Sequence, residues 1–297
     1  YSFDDQADDT SLPNILRQSI ELVSRFPLIA ANAYAAKRHY FMGESLVLHN
    51  PSPELSVAEN LLRMMRPDQS YTAEEAHLLD LMLILHAEHS SNNSTFVCRA
   101  ISSSGSDTYS AIAGAVGSLK GPLHGGANAK VMRMYRDICA HIGHTPDDAT
   151  LGAYLDRILD GEVGDHSGKI YGLGHAVYTM SDPRAIVIQK YAADLAREKG
   201  CLADLELMER IEQMGIEKIT KRKKLDIPMC ANVDFYSGFV YDMLGIPEDL
   251  FTPVFAVARI AGWCAHRMEE VATGGRIMRP AYRTALKTHE YIPLEAR

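Results

Sequence analysis

What this sequence has little of narrows its class first. Only five cysteines occur in 297 residues. Cys98, Cys139, Cys201, Cys230 and Cys264 are odd in number and never form a C-x-x-C pair. That argues against a disulfide framework and a zinc ribbon, and suits a reducing cytoplasm. No apolar run reaches the roughly 18 residues needed to span a bilayer, and the nearest candidate, Pro253 to Ala265, carries Arg259 in its middle. No basic segment followed by an apolar one opens the chain, so secretion and membrane spanning are both disfavoured. Positive charge is also scarce. Thirty Lys plus Arg against 38 Asp plus Glu give a formal charge of −8, which disfavours a nucleic-acid or anionic-membrane binder and requires the positive charges for any anionic ligand to be local. Strand-and-turn series and repeats of fixed period are missing. The chain opens on Tyr1 rather than Met, with an acidic, polar Ser2 to Asp9, and reads as a piece of something longer.

What is present is helical. With 46% of residues hydrophobic and 23% charged, the chain can bury a core of one large domain or two unequal ones. Ser11 before Pro13 opens an apolar-rich stretch to about Arg38, with a kink expected at Pro27. Ser56 with Glu59, and Thr72 with Glu75, have the spacing of capping boxes. The second precedes Leu78 to Leu85, apolar nearly all round and therefore expected at the centre of a helical domain, ending in His86-Ala-Glu-His89. Asp107 to Leu119 is dense in Ala, Gly and Ser, as in a closely packed core helix. Further helices are predicted from Asn128 to Ile142, Thr150 to Asp160, Pro183 to Lys199, Leu202 to Lys224, Asn232 to Leu244 and Pro253 to Ala272, with glycine or cap residues marking their ends.

Several short strings imitate known signatures without their context. His141-Ile-Gly-His144 lacks a preceding strand, and Gly114, Gly117 and Gly121 match no phosphate-loop spacing. The basic cluster around Arg222-Lys223-Lys224 reads as a solvated face. His86 and His89, three apart, have a spacing that could ligate a metal, but no second ligand pair is evident and an anion or oxygen-ligand site is favoured. His124, between glycines just ahead of a helix, should be neutral and able to donate to a developing oxyanion. Asp234 sits among apolar neighbours, where desolvation would raise its pKa and strengthen it as a base. Arg259, inside an apolar helix, needs a carboxylate or phosphate partner.

The segments GPLHGGAN at Gly121 to Asn128, GLGHAVYTMSDPRA at Gly172 to Ala185 and NVDFYSG at Asn232 to Gly238 closely resemble the signature segments of the citrate synthase family. HAEH and ARIAGWCAHRMEE stand in the expected order around them. The resemblance implies an all-α, two-domain subunit: a small domain over 126–243, and a large domain over 1–125 and 244–297 whose N-terminal part is missing. It implies a homodimer that condenses acetyl-CoA with oxaloacetate and hydrolyses the thioester to citrate, with no metal and no cofactor beyond these substrates. By matching motif, Asp234 takes the methyl proton, His124 donates to the thioester oxygen and His175 polarises the oxaloacetate carbonyl. His89, Arg184 and Arg259 match oxaloacetate-binding positions, and Arg279 an arginine reaching the partner's site. Ala176 and Thr179 stand where some members carry a basic residue near the CoA phosphates. The rival readings are a 2-methylcitrate synthase using propionyl-CoA, a non-catalytic helical oligomerisation module and, more distantly, a metallohydrolase at His86 and His89.

Overall fold

The computed structural model describes residues 1–174, 178, 180–226, 229–281, 283 and 290–296. Among these the chain is all-α: α1 (Leu12–Met42), α2 (Val57–Met65), α3 (Ala73–Ala87), α4 (Asn93–Ser103), α5 (Thr108–Leu119), α6 (Ala127–Ile142), α7 (Asp148–Leu159), α8 (Pro183–Glu198), α9 (Leu202–Lys223), α10 (Val233–Met243) and α11 (Phe251–Ala272). The described residues contain no extended strand, only one isolated antiparallel bridge between Leu173 and Ala231. No described helix is long and apolar enough to cross a membrane.

Local chemistry sets the helix starts. Ser56 and Thr72 each accept the backbone N–H three residues on, while Glu59 and Glu75 reach back to the cap N–H, so both capping boxes form. Asp107, Asp147, Asp182 and Asn232 cap α5, α7, α8 and α10 through side-chain oxygens, supplying acceptors for N–H groups that have no partner inside the helix.

α1 runs on through Pro27, which is buried. The structure departs from the sequence expectation in three places. α3 stops at Ala87, so His89 lies beyond its end and does not share a helical face with His86. Residues 93–103 form α4, an element the periodicity did not reveal, capped by Asn92. Finally, α5 buries only the face bearing Ala111, Ile112, Ala115 and Leu119; Ala113 and Gly117 are exposed.

Two packing groups meet at the site. α11 packs against α1, α3, α4 and α5, while α10 packs against α6 and α8, and α9 against α7 and α8. α3 also touches α8, joining the groups. The basic end of α9 is exposed, as a solvated face should be, and its charges are paired there: Arg222 with Asp156 and Asp160, and Lys218 with Asp156, at the end of α7.

Close approach of α11 to the end of α3 depends on Gly262. A Cβ there would stand 2.3 Å from the Ala87 carbonyl oxygen, a backbone atom that cannot swing away. Gly262→Ala is therefore expected to destabilise the chain by about 1–3 kcal/mol through overpacking, measured as a lower urea midpoint with an unchanged denaturant slope. An unchanged midpoint would show that this crossing has slack.

Candidate active site

The site is built from helix ends. α3 delivers His86 in its last turn, and α4 begins just beyond with Ser94. His124 stands three residues before α6, held in a tight turn by His124 N–H to Gly121 O at 2.9 Å and Gly125 N–H to Leu119 O at 2.9 Å. α8 and α10 open at Arg184 and Asp234. Only Arg259 comes from mid-helix, in α11.

Glycine makes one junction possible. Gly172 has φ +81°, and a Cβ on it would lie 2.7 Å from the Phe235 ring. Without that Cβ, the loop lies against the lead-in to α10: Asn232 N–H donates to Gly172 O at 2.9 Å and Gly174 N–H to Cys230 O at 2.7 Å. His175, Ala176 and Thr179, singled out from the sequence, lie outside the described residues.

Arg259 is the most constrained group. It is 2% exposed, its Nε donates to the His86 carbonyl at 2.5 Å and its guanidinium lies 4.8 Å from the Phe255 ring centroid. A neutral carbonyl and an aromatic face hold the cation, and among the described residues no carboxylate is within ion-pair distance of it. Burial lowers its pKa to about 10, reinforced by the neighbouring Arg184 and opposed by Glu88 and Asp234. At neutral pH it remains charged.

Asp182 organises the second arginine. This buried carboxylate accepts Arg184 Nη2 at 2.8 Å and Nε at 3.0 Å, and also the Val233 N–H at 3.1 Å. One side chain thus caps α8, orients Arg184 and fixes the start of α10. Asp234 follows directly. It is half-buried, and desolvation raises its pKa to about 6 against the pull of Arg184 and Arg259, with Asp182 adding to the rise.

His124 has a defined tautomer. Ser94 N–H donates to its Nε2 at 3.3 Å, and Ser94 Oγ lies 2.9 Å from the same nitrogen. Nε2 is therefore the acceptor, leaving the proton on Nδ1. Burial, aided by Arg259, lowers the imidazole pKa and favours the neutral form. Trp263 Nε1–H donates to Ser94 Oγ at 3.1 Å, anchoring the arrangement to α11. His86 is also neutral, its pKa lowered to about 3 chiefly by burial, with Nδ1 at 2.8 Å from Met82 O.

Of the sequence candidates, the structure gathers His124, Arg184, Asp234 and Arg259 into one electrostatically coupled group. His89 lies past the end of α3, its ring edge-on to Tyr178 at 5.7 Å. Arg279 is not gathered in: it is exposed in the segment after α11, where the Met278 N–H bonds Ser103 Oγ. No group of three or more potential metal ligands occurs among the described residues. Sequence reading missed Ser94 and Phe255 and saw Asp182 only as a cap. The Phe255 ring contacts His86 at 4.9 Å and His124 at 6.4 Å besides Arg259. The available signal was weak: Asn92-Asn93-Ser94 reads simply as a polar turn.

Comparison with known proteins agrees with this architecture. The chain matches the family model described as citrate synthase, C-terminal domain, over residues 1–281. Citrate synthase of Deinococcus radiodurans is 38% identical over 295 residues, 99% of this chain and 72% of that protein. The crystal structure of citrate synthase from Pyrobaculum aerophilum superposes with a TM-score of 0.75 at 33% identity, covering 95% of this chain and 65% of that one. Citrate synthase from Thermoplasma acidophilum, solved as a ternary complex with carboxymethyl coenzyme A and oxaloacetate, superposes at 0.72 with 30% identity, covering 94% and 68%. The chain thus spans about two thirds to three quarters of the length of these relatives. With the family model matching nearly its whole length, this chain belongs to the citrate synthase family.

Proposed function

We propose that this chain condenses acetyl-CoA with oxaloacetate and hydrolyses the resulting thioester to citrate and CoA. The observation that carries this is Asp234, a carboxylate whose pKa is raised by burial, set beside the buried Arg259 and the Asp182-held Arg184. Oxaloacetate is a dianion, and two arginines in a desolvated setting match its carboxylates where an overall acidic surface would repel it. The Thermoplasma relative's complex with oxaloacetate and a CoA derivative supports the same choice of ligands.

In this reading Asp234 removes a methyl proton from acetyl-CoA while the His124 Nδ1–H donates to the thioester oxygen. Such a donor to a developing enolate oxygen is worth on the order of 3–4 kcal/mol. The nascent carbon nucleophile adds to the oxaloacetate carbonyl, which takes its proton from His175. Water then cleaves the thioester. His89, Arg184 and Arg259 hold the oxaloacetate. The chain folds as a small domain over 126–243 and a large one over 1–125 and 244–297, works in the cytoplasm and needs no metal or added cofactor.

We further propose a homodimer in which Arg279 completes the partner's site. Its exposed position away from its own chain's cluster supports this, as does the exposed small-residue face of α5 beside an apolar groove of about 420 Å³ between α1, α5 and α11. Turnover of acetyl-CoA against propionyl-CoA separates the citrate from the 2-methylcitrate reaction, because one methylene is worth only about 1–3 kcal/mol of discrimination.

Oxaloacetate-dependent CoA release from acetyl-CoA tests the function directly; a folded wild-type chain that binds neither substrate would overturn it. Asp234→Asn is expected to lower turnover by about 10²–10⁴-fold with oxaloacetate affinity largely kept. The same variant should gain stability with a particular pH dependence. A carboxyl whose folded pKa of about 6 exceeds its ordinary 3.8 contributes stability below the lower value, and loses it as pH rises through the higher. The variant should therefore come close to wild type near pH 4 and exceed it by about 3 kcal/mol above pH 6, read from denaturant midpoints. Equal stability at pH 8 would contradict the buried-carboxylate account.

Subunit mixing tests the shared site. Arg279→Ala and Asp234→Asn chains, each inactive alone, should recover about a quarter of wild-type activity when randomly exchanged, since half the dimers then hold one intact site. No recovery after demonstrated exchange would place Arg279 outside the partner's site.

A further inference from the structure

The three helices that bring site residues together at one end are tied to each other at the opposite end. α3 ends at the site with His86 and begins beside Glu75; α8 begins with Arg184 and is capped at its other end by Lys199; α10 begins with Asp234 and is capped by Leu244. Glu75 is 3% exposed. Its Oε1 accepts Lys199 Nζ at 2.5 Å, and its Oε2 accepts Arg66 Nη1 at 2.6 Å and the Thr72 N–H at 3.2 Å. Arg66 spans onward, with Nη2 donating to the Leu244 carbonyl at 2.6 Å and Nη1 to Ser70 O at 2.8 Å. One carboxylate therefore connects the start of α3 to the far ends of α8 and, through Arg66, α10. Burial opposes its ionisation, but the hydrogen bonds from Arg66 and Lys199 hold its pKa at about 2.

We infer that Glu75, Arg66 and Lys199 form a pivot that positions the site-bearing ends of α8 and α10 relative to α3. At 1.5 Å per residue, the 16 residues of α8 make a lever of about 24 Å, so a tilt of only about 3° at the pivot moves its first turn by about 1 Å. A misplacement of that size can cost on the order of 100-fold in rate. The pivot is a positioning device, remote from the reacting atoms. Its kinetic consequence rests on the proposed condensation, whereas its mechanical consequence does not.

Lys199→Met removes the tie to α8 while leaving Glu75, its capping box and Arg66 in place. Lys199 is 35% exposed at its side chain, so overall folding should survive, with a melting temperature within about 3 °C of wild type. Amide hydrogen exchange on the full chain, without ligand, should rise about fivefold or more in the first turn of α8, far from the substitution, and in that of α10, which the Val233 N–H to Asp182 bond ties to the start of α8. Lys199→Arg should restore the wild-type pattern. In the condensation assay Lys199→Met should lower kcat about tenfold or more, again restored by Lys199→Arg. Exchange that rises only around residue 199, or kcat within twofold of wild type despite loosened helix starts, would overturn the pivot. The raised exchange in Lys199→Met, together with a wild-type chain that turns over no substrate, would support the mechanical link and count against the proposed reaction alone.

Discussion

The site is arranged around a guanidinium, that of Arg259, which is buried with no carboxylate of the described residues within ion-pair distance. Arg259 sits on a backbone carbonyl and an aromatic face, and such placement of a full charge in a low-dielectric interior is costly. Burial accordingly lowers the Arg259 pKa to about 10, and the neighbouring Arg184 adds to the fall. A fold keeps such an arrangement where an incoming anion relieves it. The buried positive charge also explains how Asp234 can be desolvated and still ionise near neutrality: Arg184 and Arg259 pull its pKa down while burial pushes it up.

The same cation disfavours protonation of both neighbouring imidazoles. His124 and His86 lose their charge to burial first and to Arg259 second, with the Met82 carbonyl opposing the shift at His86. A neutral His124 whose Nε2 accepts from the Ser94 N–H carries its proton on Nδ1, and burial favours that neutral form. Trp263, Ser94 and Phe255 surround this device. The requirement to bring α11 this close to the end of α3 makes Gly262 a packing residue of the site rather than an incidental helical glycine.

Much of this was legible in the sequence because it is written locally. Capping boxes at Ser56 and Thr72, the cap at Asp182 and the stop at Gly143 are decided within four residues of themselves, and the structure has all of them. The glycine-flanked His124 and the Asp234 segment stood out because their residue types conflict with ordinary helix packing. What escaped notice depends on distance along the chain. Ser94 matters because residues 30 and 169 positions away meet it. Glu75 was read correctly as a capping-box residue, yet its second role needs Lys199, 124 positions later. The α4 helix failed to announce itself because its short, serine-rich sequence opens as a polar turn does, and its packing on α5 and α11 is not written locally. His89 was misplaced for a related reason: the end of α3 is set where α11 crosses it, and the residues Ala87 and Glu88 do not encode that crossing.

The central claim is that burial, offset by two arginines, poises Asp234 as a base near neutrality. The most direct test is titration of the Asp234 carboxyl itself, by carbon-13 NMR of protein labelled at aspartate, with Asp234→Asn identifying its resonance. The account expects a midpoint near 6, moving upward in Arg259→Gln as one of the two stabilising charges is removed. A midpoint in the ordinary carboxylate range near 4, or one that does not move in the arginine variant, would contradict it.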